Sequence, residues 1–398
     1  MKKEKKTEKK TGRRAFLTGL GAAGVLVAGG TVYRAVTAGV FSTGTGPAYE
    51  PWKSWGTDID DPLRALVHGA VLSANPHNTQ PWLFRFDGNA VDLFADTARN
   101  IGSIDPFLRE MHVGLGCALE NLSLTATALG IEPRLTFLPN PADPTHVARV
   151  GLVEGMAERM ALFEAIGARH TNRGPYDTAR PVPKEALLDL SSLADTPDVG
   201  VVWFATDEEK KSVGDLIISA TEAIIRDKGQ SHDSAHWYRF TWEDVQTHRD
   251  GITTDAVGLP GWLRAVSKML PPLSEEKNDQ FWLKGTRDVH VKTASAFGII
   301  TAKDPTGVSQ RIGGGMLWQR MHLAGTTMGL GMQPINQMTE RVDREIELSI
   351  EPVFGNALRD LLGNTQMKPL MTFRVGYPLT EALASPRRAL EDVIIGTA

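Results

Sequence analysis

The chain has 398 residues, of which 41% are hydrophobic and 23% charged, a composition that suits a globular protein and excludes wholesale disorder. Eight basic and two acidic residues among the first 14 leave the rest of the chain with a net charge of −10. An acidic body repels phosphate backbones, which argues against nucleic acid binding. The single cysteine, Cys117, excludes an intramolecular disulfide and a zinc site built on several thiolates.

The basic beginning of the chain resembles a twin-arginine export signal. Arg13 and Arg14 are followed by an uncharged run, Ala15–Tyr33, that is only mildly apolar. We predict that residues 1–38 are read by the twin-arginine translocation machinery. Two fates stay open, cleavage after the small residue Ala38 or retention as an anchor, because a helix of this length just spans a bilayer core. Either fate leaves the body outside the cytoplasm, in the periplasm or at the outer face of the cytoplasmic membrane.

A Gly-, Thr- and Pro-rich segment, residues 39–57, follows the signal and is predicted to be a linker or wrapping arm. The first half of the body, residues 58–155, begins with a helix, since Asp60 or Asp61 can cap it and Pro62 suits its first turn. The elements predicted next are the loop 73–82, a hairpin with strands 83–86 and 91–95, an apolar helix 114–130, and strands 134–138 and 147–153.

The second half, residues 156–398, has a similar mixture of helices and strands. Its predicted elements are helices at 157–169, 208–226 and 313–329 and strands at 199–205 and 371–376. The apolar helices of the two halves can be aligned with each other, with Gly116 opposite Gly315 and Gly130 opposite Gly329. This alignment indicates a distant internal repeat.

Within the second half, residues 230–285 differ in composition from their surroundings. They hold four of the nine tryptophans, at positions 237, 242, 262 and 282, in a polar segment with further aromatic residues. A segment of this kind inside a compact domain is often a functional lid, and the alternative is an additional helical layer packed elsewhere. Both interpretations stay open.

Two polar loops carry candidate binding residues. Asn78 and Gln80 present side-chain amides beside a proline and a flat ring, which suits a planar heterocycle, although the same sequence also forms ordinary turns. Arg169, Thr171 and Arg173 alternate along the chain, so in extended backbone they would point the same way and could converge on one anion. The alternative for this second loop is a solvated basic turn.

The sequence motifs of several common enzyme classes are absent. No G-x-S-x-G, G-x-x-x-x-G-K-[ST] or H-E-x-x-H occurs, which leaves serine-hydrolase, P-loop and zinc-protease chemistry unsupported. His232 and His236 could share a helix face, but no third metal ligand is obvious nearby, so a solvated pair is favoured. We therefore predict neither a metal site nor a side-chain nucleophile.

Several segments together resemble the FMN-dependent nitroreductase superfamily. They are HNTQPW at 77–82, DTARNIGSIDPFLREMHVGLGCALENL at 96–122, RHTNR at 169–173, and FRVGYP and SPRRALEDV between 373 and 393. The match is closest to the Acg-type branch, in which two nitroreductase-like halves occur in one chain. The resemblance implies an α+β sandwich in which two pseudo-symmetric halves imitate the family's dimer, with the flavin at the interface between them.

The resemblance also implies roles for individual residues. The phosphate of FMN would be held by Arg169, Thr171 and Arg173, with Arg387 or Arg388 completing the site. The isoalloxazine would be lined by Pro76, His77, Asn78 and Gln80. Flavin N5 would meet the segment with Pro334, Asn336 and Gln337, where Asn336 replaces an acidic residue common in the family. Because only the first half has the amide loop and only the second has the arginine loop, one FMN per chain is expected.

The function that the resemblance implies is electron transfer through bound FMN, which carries the chemistry, so no protein residue is assigned a catalytic role. We expect an exported oxidoreductase that transfers hydride or electrons from a small-molecule donor to a planar acceptor, quinone-like or nitroaromatic. One alternative is a protein that sequesters FMN behind residues 230–285 with little turnover, and another is a scaffold that has lost its flavin. The oligomeric state stays open, and a monomer is compatible with two halves in one chain.

Overall fold

In the computed structural model the chain is described at residues 30–57, 61–363 and 365–397. The predicted signal residues Arg13 and Arg14 lie outside these ranges. Over the described residues the protein has two main sheets, each packed against a long helix, and a small two-stranded sheet, so the predicted α+β class is confirmed. None of the helices in these ranges is both long and apolar enough to cross a bilayer.

The first sheet combines the predicted strands of the first half with the end of the chain. Its strands are β1 (Trp82–Asp87), β2 (Ala90–Ala95), β3 (Ile131–Phe137), β4 (His146–Glu154) and β11 (Ile394–Thr397). The order is β11-β1-β2-β4-β3, antiparallel except that β11 pairs in parallel with β1. The second half of the sequence therefore contributes one strand to the sheet of the first.

Two helices pack on this sheet, α3 (Pro62–Val71) and α4 (Arg109–Ala128). Asp61 caps α3 by accepting a hydrogen bond from the backbone N–H of Arg64, as the sequence predicts. α4 begins five residues before the predicted helix. The reason is Asp105, whose carboxylate accepts hydrogen bonds from the free N–H groups of Glu110 and Met111 in the first turn.

The second sheet has four antiparallel strands in the order β5-β8-β10-β9. They are β5 (Val199–Phe204), β8 (Ala296–Ala302), β9 (Gly331–Pro334) and β10 (Lys368–Gly376). Alternate residues of β8 enter two separate cores. α6 (Lys184–Ser191) and α12 (Val308–Thr327) cover one face, and α7 (Asp207–Arg226), α13 (Gln337–Leu348) and α14 (Val353–Leu362) cover the other.

The two long helices, α4 and α12, cross at a pair of glycines. A Cβ on Gly116 would overlap the carbonyl oxygen of Ile312, and a Cβ on Gly315 would overlap the carbonyl oxygen of Val113. The contact is reciprocal, because each glycine meets the residue three positions before the other. Gly116 and Gly315 are also the residues that the sequence alignment of the two helices pairs.

The prediction of one continuous helix at 157–169 is wrong. Only Ala161–Glu164 (α5) and the 3-10 turn Ile166–Ala168 are helical in this region. Gly155 and Glu158 donate their backbone N–H groups to carbonyls at the end of α4, at Gly130 and Thr127. These long-range hydrogen bonds hold the segment before α5 in an extended course.

The N-terminal described segment lies against the body. Residues 30–37 are helical (α1), and residues 47–53 form a 3-10 turn and the short helix α2 (Glu50–Lys53). The indole N–H of Trp52 donates to the carbonyl of Ser385 at 2.8 Å, and the ammonium group of Lys268 donates to the carbonyl of Gly39 at 3.1 Å. Residues 39–57, predicted to be a linker or wrapping arm, therefore contact the body at both of these places.

The Trp-rich segment is a layer of short helices that also forms a wall of a cavity. Its elements are α8 (Lys228–Ala235), α9 (Trp242–His248), α10 (Gly261–Met269) and α11 (Glu275–Gly285), with the paired two-residue strands β6 (Tyr238–Arg239) and β7 (Ile252–Thr253). Its four tryptophans lie in different environments, although Trp237 and Trp282 pack against one cluster, and Trp242 is exposed. Trp237 is buried against Ile101 and Ile224, Trp262 faces solvent, and Trp282 lines the cavity.

Candidate functional site

A cavity of 510 Å³ lies where the two halves and the Trp-rich segment meet. Its walls come from residues 74–77 before β1, the first turns of α4, the loop at 171–173, the junction of β9 with α13, and the helices α10 and α11. Its apolar lining includes Val113, Trp318 and Met371. The volume lies within the range of about 300–1,000 Å³ that is usual for small-molecule and cofactor sites.

The amide loop contributes only part of its predicted residues to the cavity. Pro76 and His77 line it, whereas Asn78 and Gln80 do not. The amide nitrogen of Asn78 donates to the carbonyls of Gly251 and Pro386, and that of Gln80 donates to the carbonyl of Arg249. The two amides therefore tie this loop to the Trp-rich segment and to the C-terminal segment.

The backbone of the same loop adopts an unusual conformation. His77, Asn78 and Gln80 all have positive φ, at 46°, 57° and 53°, a region that non-glycine residues rarely occupy. Such a backbone conformation persists only where surrounding contacts hold it. Here the hydrogen bonds donated by the side-chain amides of Asn78 and Gln80 do so. It turns His77 toward the cavity, where burial and the nearby charge of Arg173 lower the pKa of the imidazole to about 4. His77 is therefore neutral at physiological pH.

The arginine loop is divided between the cavity and the core. Thr171 and Arg173 line the cavity, as alternate residues of one strand-like segment should. Arg169 does not, because it ends the preceding 3-10 turn and donates to the carbonyl of Leu72 at 3.0 Å. It is buried, and burial lowers the pKa of its guanidinium to about 10. The predicted convergence of three side chains is thus a convergence of two.

Arg173 supplies positive charge to the cavity wall. Its guanidinium donates to the carbonyl of Ala256 at 3.1 Å, and no carboxylate of the described residues forms an ion pair with it. Burial lowers its pKa from the usual range. An unpaired guanidinium in the same cavity as the side chain of Thr171 is a suitable site for a phosphate group.

The two C-terminal arginines lie outside the cavity. Arg387 donates to the side-chain oxygen of Asn78 at 2.6 Å and to the carbonyl of Ser73 at 3.1 Å, and it stacks over the ring of Trp52. The backbone N–H of Arg388 donates to the side-chain oxygen of Gln80 at 2.8 Å. Both residues therefore hold the amide loop in place from outside.

The junction of β9 with α13 brings all three of its predicted residues to the cavity. Pro334, Asn336 and Gln337 line it. Gln337 is buried, and its side-chain oxygen has no hydrogen-bond partner within the described structure. A buried acceptor without a partner costs free energy, which favours a donor from a ligand at this position.

Sequence reasoning missed two carboxyl groups in the cavity wall, Glu110 on α4 and Glu340 on α13. Both side chains are buried and adjacent. Burial raises the pKa of Glu110 to about 7 against the opposing charge of Arg109, and burial together with the Glu110 carboxyl raises the pKa of Glu340 well above its usual range. One signal could have pointed to them: Glu340 stands one helical turn after Asn336, where the family's acidic residue is missing.

The other titratable residues considered, Cys117 and His232, have structural or surface contacts and no ligand-binding arrangement. The thiol of Cys117 is buried and donates to the carbonyl of Gly315 at 3.3 Å, and burial raises its pKa, so it is an unreactive packing group. His232, considered with His236 as a metal ligand, pairs with Glu275 at 3.0 Å on the surface. Among the described residues no group of three or more His, Cys, Asp or Glu side chains could hold a metal ion.

Comparison with known proteins finds relatives in Mycobacterium tuberculosis. Over 192 residues, 46% of this chain, it is 30% identical to 55% of "Putative NAD(P)H nitroreductase acg". Over 124 residues, 30% of this chain, it is 34% identical to 36% of "Putative NAD(P)H nitroreductase Rv3131". The chain is related to these mycobacterial proteins. It spans about a third to a half of their length, and no family model matches it.

Solved nitroreductase structures also overlap with this chain. The FMN-dependent nitroreductase NfnB from Mycobacterium smegmatis, solved with NADPH, has 14% identity and a TM-score of 0.35, covering 59% of this chain and 97% of its own. A nitroreductase with bound FMN from Bacteroides fragilis has 15% identity and a TM-score of 0.34, covering 57% and 94%. At these TM-scores the overlaps do not establish a shared fold.

Proposed function

We propose that the protein is a nitroreductase-superfamily oxidoreductase that binds one FMN in the cavity and transfers electrons from a small-molecule donor to a planar acceptor. The observation that carries the proposal is the convergence of three family-like segments on one cavity. These segments contribute Pro76 and His77, Thr171 and Arg173, and the run from Pro334 to Gln337. The names of the mycobacterial relatives support the same class.

The residues of the cavity fit this cofactor. Arg173 and Thr171 offer a charge and a hydroxyl for the phosphate, and the free oxygen of Gln337 can accept from a ring N–H. Trp318 and Met371 give an apolar floor for a planar ring. When bound, FMN supplies hydride and electron transfer. The protein binds the phosphate, orients the ring and excludes water.

The paired carboxyls give the cavity a source of protons. Glu110 and Glu340 lie side by side, and two adjacent buried carboxylates cannot both be ionised at low cost. At neutral pH a proton is therefore held on an Oε atom of the pair, beside the reacting space. Reduction of a quinone or nitro group consumes protons, and a group whose pKa lies near the operating pH donates them well.

The paired arrangement of the halves fits the family's dimeric site. The reciprocal packing of Gly116 and Gly315 at the crossing of α4 and α12 resembles the contact between two equivalent subunits. The cavity takes residues from both halves, so a single chain suffices for one FMN. This supports one FMN per chain in a monomer.

Export by the twin-arginine route belongs to the same proposal. The support is the basic beginning with Arg13 and Arg14 followed by an uncharged run. Proteins that take up a cofactor before export use such a route, and the body would then act in the periplasm or at the outer face of the cytoplasmic membrane.

The second candidate function is sequestration of FMN. The observation that favours it is the contribution of α10 and α11 to the cavity wall, including Trp282. A ring covered from this side would exchange electrons slowly with donors in solution. A scaffold without flavin is the remaining alternative.

The proposal is tested by purifying the full-length protein and recording its visible spectrum, followed by mass identification of any flavin released on denaturation. We expect about one FMN per chain, since the three family-like segments converge on one cavity. Protein that is colourless and fails to take up added FMN would contradict the assignment. Bleaching of the bound flavin by a reductant, and its recovery on addition of a quinone, separates the oxidoreductase from the store.

A further inference from the structure

The opening of the cavity is surrounded by exposed apolar side chains. Leu270, Leu273 and Phe281 line the cavity and yet are 57%, 44% and 42% exposed to solvent. We call these three residues the rim. An apolar entrance exposed to water is unfavourable, which indicates that something apolar covers it.

The helix leading to the rim, α10, has its polar and apolar faces reversed. Lys268 and Arg264 point inward and pair with Asp255 at 2.7 and 3.0 Å. Trp262 and Val266, one helical turn apart, point outward and are 71% and 46% exposed. A surface helix of a water-soluble protein has the opposite arrangement. With the rim, Trp262 and Val266 form what we call the apolar face.

The N-terminal helix α1 extends this face. Arg34 donates to the carbonyl of Met269 at 3.3 Å, which places α1 beside the end of α10. Tyr33 and Val36 on α1 are 72% and 58% exposed. The sequence that enters α1, residues 15–29, contains no charged residue and is mainly apolar. In the sequence, α1 therefore follows directly on this uncharged stretch.

We propose that the apolar face rests on a lipid bilayer, so that the cavity opens into the membrane and its acceptor is a lipid-soluble quinone. The occupant is the bilayer because an uncharged run of sequence, residues 15–29, immediately precedes α1, and such a run partitions into lipid more readily than the charged sequence around it. Interfacial aromatic residues such as Trp262 and Tyr33 suit the boundary between headgroups and acyl chains.

The substrate assignment rests on the proposed function. A quinone would enter past the rim and be reduced to the hydroquinone by two electrons and one proton, taken together as hydride from the reduced cofactor. The second proton would come from the carboxyl pair Glu110 and Glu340. The cofactor would be oxidised in this step and reduced again by a water-soluble two-electron donor, for which one equivalent of dithionite, consumed before the quinone is added, serves in the test.

The proposal selects retention of the N-terminal segment over its removal. Ala35 and Ala38 are buried, and Thr37 and Ala38 line the cavity. A peptidase could not reach the bond after Ala38 in the folded protein without detaching α1 from α10. Residues 30–38 are therefore expected to remain as part of the cavity wall.

Contact between the apolar face and the bilayer is tested by an experiment that does not depend on bound flavin. Trp262→Cys and Leu273→Cys are made in the full-length protein, labelled with an environment-sensitive fluorophore, and reconstituted in phosphatidylethanolamine–phosphatidylglycerol vesicles. Leu188→Cys on α6 is the matched control, since Leu188 is equally apolar and 56% exposed but does not line the cavity. We expect quenching by spin-labelled lipid at 262 and 273 and none at 188.

Quenching at 262 and 273 by aqueous iodide alone, as at 188, would show that the chain is only tethered and would overturn the proposal. Probes shielded from both iodide and spin-labelled lipid would show that the face is covered by another protein or a second copy, which also overturns it. Neither outcome depends on whether FMN is bound. The proposed contact with the bilayer can therefore be disproved without disproving the proposed function.

The substrate class is tested with one quinone headgroup in two forms, a long-chain isoprenoid quinone in the bilayer and a short-chain water-soluble analogue. The double variant Trp262→Glu, Val266→Glu should reduce the bilayer quinone at least tenfold more slowly and the soluble analogue within twofold of wild type. Leu188→Glu should change neither rate. Equal losses with both quinones, or no loss with the bilayer quinone, would contradict membrane access.

Discussion

Arg173 is the residue through which the cavity can best distinguish a phosphorylated flavin from an unphosphorylated one. A hydrogen bond to a charged group contributes about 1.5–3 kcal/mol, so Arg173→Ala should weaken FMN binding about 10- to 150-fold. Riboflavin binding should change little, because it lacks the phosphate. Titration of apoprotein with both flavins measures the difference.

Two control variants make this result specific. Arg226→Ala removes an exposed arginine at the end of α7 and should leave both affinities unchanged. Arg169→Ala removes the buried donor to the carbonyl of Leu72 and should lower stability without separating the two flavins. Equal loss of FMN and riboflavin in Arg173→Ala would mean that Arg173 supports the fold and does not bind phosphate.

Glu110 should make the stability of the protein depend on pH. Its folded-state pKa is raised to about 7 from a usual value near 4.5, so the folded state binds more protons than the unfolded state between these values. Stability should therefore fall as pH rises through this window. Arg109, Asp105, Asn336 and Asp343 surround the Glu110 carboxyl, and the Glu340 carboxyl lies beside it.

The measurement is urea unfolding of wild type and Glu110→Gln at pH 5, 6, 7 and 8. The difference between the two proteins isolates the contribution of Glu110, which should be on the order of 3 kcal/mol across the window. Glu110→Gln should have the flatter profile. Parallel profiles for the two proteins would show that Glu110 ionises normally in the folded state.

At the scale of elements, the crossing of α4 and α12 depends on the absence of two side chains. Gly116→Ala should destabilise the protein by at least about 1–3 kcal/mol, because the new Cβ meets backbone at Ile312 that cannot move independently. Gly285→Ala in α11 is the matched control, since nothing lies within 4 Å of its Cβ position. It should be neutral or stabilising by up to about 1 kcal/mol. Equal effects in thermal unfolding would contradict close packing at the crossing.

At the scale of the whole molecule, the Trp-rich segment should restrict access to the cavity through Trp282. Trp282→Ala should speed reduction of bound flavin by NADPH, on the order of fivefold, because it enlarges the opening for a nicotinamide. Trp242 lies in the same segment but outside this cavity, so Trp242→Ala should leave the rate unchanged. Stopped-flow absorbance measures both, provided that each variant retains FMN. Unchanged rates in both would remove the main support for sequestration.

Elements with strong local signals were predictable from the sequence. The cap at Asp61, the hairpin of β1 and β2, and the long helix α7 lie where the local sequence pattern predicts them. The segment at 157–169 has helical periodicity but was predicted wrongly, because its backbone bonds to the end of α4. Local propensity is outweighed there by hydrogen bonds to residues distant in sequence.

The candidate site, like the fold, has features that the sequence predicts and others that depend on long-range contacts. The sequence by itself determined the α+β class, the polar loops at 76–80 and 169–173, and the residue types that suit a flavin. Only the tertiary structure decided which side chains of those loops face the cavity, because Asn78 is turned away by Arg387 and Gly251. It also brought together Glu110 and Glu340, which lie far apart in the sequence. A sequence pattern records the chemistry of each side chain, whereas its direction and its neighbours are set by contacts that close only when distant segments pack.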